Sequence, residues 1–234
     1  MDLMLSTLQA GLPELPLELE EDRCRKLCDF GHAMVKQNEV MNLTGITEDT
    51  QVAKLHLLDS LTVLACADLR GKTLIDVGCG AGFPGVPLSI ACPEAKITLL
   101  DSLAKRMNWL ETGLPQLGCS NARCVTARAE EEVTKCRETY DFATSRAVAR
   151  LNILLELTAP YVRIGGAVLA MKGSAAREEL AEAKNAITQL GLKLEEIRDF
   201  TFDGATHSVI VLRKVKATPA RFPRRFSKIK QSPL

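Results

Sequence analysis

Histidine and aromatic residues are scarce in this chain: three histidines, one tryptophan, two tyrosines and 4% aromatics over 234 residues. His32, His56 and His207 are widely separated in sequence, and no compact Ser/His/Asp or Cys/His constellation occurs. A nucleophile-and-base mechanism therefore finds no support, and each histidine reads as a structural or ligand-contacting residue. No apolar run approaches the ~18 to 20 residues that a membrane span requires. The N-terminal stretch turns acidic where a secretory signal would be basic and then apolar, so the expected compartment is the cytoplasm, with no membrane partner. Eight cysteines are present but no Cys-x-x-Cys. They are scattered through apparent helices and strands and read as reduced, mostly buried thiols. Cys24, Cys28 and His32 fall four apart, on one helix face, but no fourth ligand is near, and no metal is expected.

Acidic residues are missing altogether after Asp203, while Arg213, Lys214, Lys216, Arg221, Arg224, Arg225, Lys228 and Lys230 crowd the same end. The whole chain carries only +1, so the rest of it is net negative. Such a local excess suggests a polyanionic partner.

The length suits one globular domain with extensions. Residues 18–40 repeat apolar positions at helical spacing behind an acidic first turn, and residues 49–69 resume that period after a polar turn, with Asp49 or Thr50 as the cap. Residues 1–70 are thus expected to form a helical N-terminal cap. From residue 72, short apolar runs ("KTLIDVG", "AKITLLD", "NARCVTA", "YDFATSRA", "GGAVLAMKG") alternate with amphipathic segments. That alternation predicts βαβ crossovers and a parallel sheet buried on both faces over residues 71–215. "LKLEEIRDFTFDG" and "HSVIVLRKV" lack a helix between them and predict an antiparallel pair at one side. Residues 216–234 form a proline-punctuated basic tail.

The first βα turn reads "DVGCGAGFPG", residues 76–85. In an open α/β sheet this turn lines the ligand crevice, where Gly78, Gly80 and Gly82 let a ligand approach the main chain and the following helix offers N–H groups to an anion. Phe83 stands where a Gly-x-Gly-x-x-Gly dinucleotide fingerprint needs glycine, which disfavours a pyrophosphate. Asp101, at the end of the second strand, is placed to accept hydrogen bonds from ribose hydroxyls. Glu130 and the Ala129 backbone, after the third, can read an adenine edge. Adenosine without a diphosphate, joined to an amino-acid carboxylate, describes S-adenosylmethionine.

"MNLTGI", "HLLDSL", "DVGCGAGFPGVPLSI", "LLDSLAKRMNWL", "RAEE", "SRAVARL", "GGAVLAMKG" and the basic end, spanning residues 25–232, together resemble the bacterial small-subunit ribosomal RNA methyltransferase G family, also called glucose-inhibited division protein B. The resemblance implies a Rossmann-like class I S-adenosylmethionine-dependent methyltransferase with a mostly parallel seven-stranded sheet. It also implies methyl transfer to N7 of one guanine in a decoding-centre loop of 16S rRNA, free or in the small ribosomal subunit. By that likeness Gly78, Phe83, Ala129, Glu130 and Arg146 contact the cofactor; Gly80, Gly82 and Asp101, read from the turn and strand end above, and Asp76 at the head of the turn complete the expected site. Cys79 departs from the family's usual Ser or Thr, and the tail is looser than the family's.

Guanine N7 carries a lone pair and no proton, so no general base is needed, in keeping with the missing constellation. Arg146 follows the fourth strand at the rim of the expected pocket and is the candidate catalytic residue; pairing with an acidic side chain, the methionine carboxylate or a phosphate suits its charge. Asn42, His56 and Asp59 in the cap are candidates for seating the target base, Lys172 after the fifth strand for a phosphate, and Arg224 and Arg225 for RNA. The protein is expected to act as a monomer. A methyltransferase for a protein or small molecule explains all but the tail; an NAD-dependent dehydrogenase fits less well because of Phe83, and an inert RNA-binding module gives the pocket no purpose.

Overall fold

The computed structural model describes residues 2–234. Helix α1 (Leu3–Gly11) starts at Asp2, whose Oδ1 accepts the Leu5 N–H at 3.1 Å. Helix α2 (Glu21–Met41) has Glu21 and Asp22 in its first turn, where the dipole favours acids. It buries Cys24, Leu27, Cys28, Phe30 and Met34 along one face, and it ends at Asn42, which takes the left-handed conformation at φ 49°. Helix α3 (Asp49–Val52), capped by Glu48, runs into a π-helical stretch (Ala53–Leu58) and then into α4 (Asp59–Cys66). The sequence period predicts a plain helix here; the wider turn is a local departure of a kind that often accompanies functional sites.

The sheet comprises β1 (Thr73–Val77), β2 (Lys96–Asp101), β3 (Ala122–Thr126), β4 (Tyr140–Arg146), β5 (Val162–Lys172), β6 (Leu192–Phe202) and β7 (Ala205–Lys214). Its order is β3-β2-β1-β4-β5-β7-β6, with β1 to β5 parallel and β7 antiparallel to both neighbours. Between the strands lie α5 (Gly85–Ala91), α6 (Ala104–Gly113), α7 (Ala129–Glu132), α8 (Leu151–Thr158), α9 (Ala176–Glu182) and α10 (Lys184–Gln189). Apolar clusters cover both faces, as a parallel sheet requires. Met4, Leu8, Leu27 and Phe30 of the N-terminal helices share one cluster with Leu74 and Leu99 of the sheet, so the cap is built into the core.

The C-terminal segment also packs on the domain. Phe222 and Ile229 are buried, the latter in α11 (Phe226–Gln231). Arg137 donates to the carbonyls of Thr218, Pro219 and Phe222. Arg224 clasps Glu156, a carboxylate on α8 with no exposed surface: its Nε and one terminal nitrogen reach the two oxygens at 2.8 and 2.6 Å, and its other terminal nitrogen donates to the Ser232 carbonyl. Arg224, expected as an RNA contact, is therefore held inward as counter-ion to a buried acid, whereas Arg225 is exposed. Breaking such a pair strands a buried charge. Arg224→Met is expected to cost about 3 kcal/mol in urea unfolding, and Glu156→Leu together with Arg224→Met to recover most of it; a single variant as stable as the parent contradicts this anchoring.

Candidate active site

Strand order reverses between β1 and β4, and a cleft of ≈ 1010 Å³ opens there at the carboxyl ends of the strands. Gly78, Gly80, Phe83, Asp101, Ala129 and Glu130 line one half of it. At Gly80, with φ +57°, an added Cβ would meet nothing nearer than Arg106 at 3.8 Å, so the main chain there is open to a ligand. Gly82 differs: at φ +98° a Cβ would lie within 3 Å of Val86 and Leu110, so this glycine serves close packing and faces the core. The amides expected to meet an anion are mostly engaged. Those of Gly78 and Cys79 donate to the Leu100 carbonyl, those of Gly82 and Phe83 to Cys79, and that of Val86 to Gly82. Gly80 N–H donates to Asp101 Oδ2 at 3.0 Å and Gly85 N–H to Asp76 Oδ2 at 2.8 Å. Arg106 and Arg128 line the same half, neither with an ion pair among the described residues, and Arg106 is the one that faces Gly80.

Asp101 is oriented by two backbone donors, Gly80 and Leu103, leaving the other lone pairs of its carboxylate free. Asp76 lies wholly buried beneath the turn; burial pushes its carboxyl up to about 7, and its Oδ1 has no hydrogen-bond partner. The Ala129 carbonyl accepts from the Tyr161 hydroxyl at 2.6 Å, which fixes the start of α7. Cys79 is buried with its thiol 3.8 Å from Met107 Sδ, so it supplies packing where a hydroxyl residue would add a polar group.

The facing wall is built from the cap. One terminal nitrogen of Arg146 donates to the Leu55 carbonyl at 3.0 Å and to Asp59 Oδ2 at 2.9 Å, and the other meets His56 Nδ1 at 3.2 Å. Asp59 Oδ1 accepts from His207 Nδ1 at 2.9 Å. His56 stacks on Phe83 with centroids 4.8 Å apart, its Nε2 lies 2.9 Å from Thr44 Oγ1, and the Arg146 guanidinium sits 5.0 Å from the Phe83 centroid. The open π turn sets both His56 and Leu55 toward Arg146. Burial, then the nearby Arg146 charge, pushes His56 down to about 4, so the ring is neutral near pH 7. The bond to Asp59 raises His207.

Arg146, His56, Asp59, Phe83, Asp101, Ala129 and Glu130 thus share one cleft. Lys172 lines it too, but its ammonium donates to the Ala149 carbonyl at 2.6 Å and pairs with Glu179 at 2.8 Å, leaving 7% of the side chain exposed. The free phosphate ligand expected from sequence is instead a tether between β5 and α9. Asn42 terminates α2 and lies outside the lining. Asn38 and Thr44 were not singled out by sequence: the Asn38 side chain brackets Thr44, donating to its carbonyl and accepting its N–H. The only available signal was their place in and just before "MNLTGI".

A family model described as rRNA small subunit methyltransferase G matches residues 23–207. A ribosomal RNA small subunit methyltransferase G from Alkaliphilus metalliredigens is 42% identical over 223 residues, covering 93% of each chain. One from Desulfitobacterium hafniense is 43% identical, covering 94% of this chain and 93% of its own. Among solved structures, the YcgJ protein of Bacillus subtilis superposes with TM-score 0.56 at 13% identity, covering 69% of this chain and 100% of that one. TYW2 of M. jannaschii in complex with AdoMet gives 0.55 at 14%, covering 68% and 76%. These two likenesses establish the fold alone.

The two cleft histidines are expected to titrate in opposite directions. An unfolded His56 takes a proton near 6.5 while the folded one resists until about 4, so its share of stability falls as pH drops between those values. His207 has a raised value, so its share is full below 6.5 and is lost as pH rises through the folded value. NMR titration should place His56 near 4 and His207 above 6.5; a His56 midpoint at or above 6.5 would contradict the buried, Arg146-facing ring.

Proposed function

This chain belongs to the rRNA small subunit methyltransferase G family, and from that premise we propose that its cleft transfers a methyl group from S-adenosylmethionine to N7 of one guanine in 16S rRNA. The observation that carries the choice of atom is the cap wall of the cleft, which holds no free base. Asp59 is taken up by Arg146 and His207, and His56 is neutral, with its Nδ1 against Arg146 and its Nε2 against Thr44. Guanine N7 has a lone pair and no proton to surrender, so it suits a wall of this kind.

The residues fit the cofactor. Asp101 has lone pairs left that would meet the ribose hydroxyls, Glu130 and the Ala129 backbone would hold the adenine edge, and Gly80 leaves the main chain bare to a ligand. Arg106 would supply a cation for the amino-acid carboxylate, a role first expected of helix amides that are engaged internally. The partnerless oxygen of Asp76 marks polar capacity still unmet beneath the turn.

When bound, S-adenosylmethionine supplies a methyl group on a sulfonium, which the N7 lone pair accepts as the carbon–sulfur bond breaks. Positive charge is present before and after transfer, so the chain contributes placement and exclusion of water more than charge neutralisation. An isolated guanidinium beside that centre would be repulsive; Asp59 offsets the Arg146 charge and lets Arg146 serve as a positioning residue. On the outside, Lys216, Arg221, Arg225, Lys228 and Lys230 remain exposed on the docked C-terminal segment, a surface suited to RNA phosphates. The reading has the protein act as a monomer, in the cytoplasm where ribosomal subunits are assembled.

Radiolabelled methyl transfer onto small-subunit RNA from a strain lacking the enzyme is expected to map to N7 of a single guanine. Asp101→Ala should weaken S-adenosylmethionine binding in calorimetry by ~1 to 3 kcal/mol with the fold retained. Label on protein, or on RNA at an exocyclic amine, would refute the substrate assignment, and unchanged affinity the ribose contact.

A further inference from the structure

Hydrogen-bond directions along the cap wall follow from one group that can only donate. The Arg146 guanidinium has five N–H donors and no acceptor. Facing it at 3.2 Å, His56 Nδ1 is assigned as the acceptor, which puts the single proton of the neutral ring on Nε2. The Leu55 carbonyl also lies 3.2 Å from Nδ1 and keeps a second lone pair beside the one Arg146 uses at 3.0 Å, so the assignment rests on the charged guanidinium, against which an Nδ1–H would set donor to donor. Nε2–H donates to Thr44 Oγ1 at 2.9 Å, and the Ile46 N–H donates to the same oxygen at 3.0 Å. Both lone pairs of the hydroxyl are then in use. Its own proton has no acceptor among the described residues, and Thr44 lines the cleft. Asn38 holds Thr44 by both backbone groups, at 3.0 Å to its carbonyl and 2.9 Å from its N–H, so the hydroxyl is preset.

We propose that the Thr44 hydroxyl, polarised by the Arg146–His56 chain, donates a hydrogen bond to O6 of the target guanine and selects guanine over adenine at this site. The proposal rests on the guanine-N7 reading above. Guanine presents N7 and O6 side by side as acceptors, whereas adenine places an amine donor beside N7. A hydroxyl whose lone pairs are both occupied cannot turn to receive that amine, so adenine would set donor against donor. Methylation makes the base cationic and O6 a poorer acceptor, so the bond is stronger before transfer than during it. Thr44 therefore places the base and does not speed the displacement; its effect belongs in KM.

The test uses small subunits reconstituted with rRNA carrying either guanine or 2-aminopurine, which lacks O6, at the target position, with the full-length enzyme and its Thr44→Val and Thr44→Ser variants. Thr44→Val is expected to raise KM for the guanine subunits about tenfold with kcat little changed. On the 2-aminopurine subunits the rise in KM should be about tenfold smaller, and Thr44→Ser should restore the guanine value. Any cost of the contacts to His56 and Ile46 that the valine variant lacks falls on both bases and cancels in the comparison. Equal losses on the two bases, or no loss on guanine, would overturn the proposal while leaving guanine-N7 methylation intact; failure of the parent enzyme to methylate the guanine would overturn both. Nitrogen-15 NMR of His56 should show the Nε2-protonated tautomer, and an Nδ1-protonated ring would also overturn it.

Discussion

The carboxylate of Asp59 ties three distant parts of the chain into one wall. It lies on the cap, is 4% exposed, and receives Arg146 from the end of β4 and His207 from β7, partners 87 and 148 residues away. A buried carboxylate is costly unless its lone pairs are met by charged or polar donors. Each partner therefore depends on the other two: without Asp59, Arg146 would hold an uncompensated charge at the cleft wall, and without Arg146 the cap would lose a charged hydrogen bond to the parallel sheet. The position of the cap over the carboxyl ends of the strands follows from this junction as much as from the apolar core beneath it.

Phe83 carries the same organisation across to the glycine-turn half of the cleft. As the residue that ends the glycine turn, it packs on Phe30 of α2 with centroids 5.0 Å apart and under both His56 and Arg146. A dinucleotide-binding turn would place glycine here; this one places a ring that touches the opposite wall. The two halves of the cleft are thereby set at a fixed separation, which a displacement reaction needs because it draws on alignment more than on acid–base help.

The alternation of apolar runs and amphipathic segments was enough to reveal the parallel sheet, its antiparallel end and the N-terminal helices, since burial on both sheet faces leaves a plain mark in sequence. The glycine turn and Asp101 were legible because their spacing is local. Other features depend on partners far away in the chain. Lys172 and Arg224 read as free cations until Glu179 and Glu156 are brought beside them by α9 and α8. The π turn at Ala53–Leu58 is invisible to a period of 3.6, because one widened turn shifts the apolar phase too little to register. Thr44 carried no compositional signal at all; its importance emerges only from counting lone pairs around Oγ1.

The central claim is that Arg146 and Asp59 act as a unit that shapes the methyl-accepting wall. A double-mutant cycle on single-turnover methyl transfer, with Arg146→Met, Asp59→Asn and the two combined, measures that coupling directly. The account predicts strong non-additivity, with the double variant no slower than the worse single variant and an interaction energy of about 2 kcal/mol or more. Losses that add to within about 0.5 kcal/mol would mean that the two residues work independently, and would contradict it.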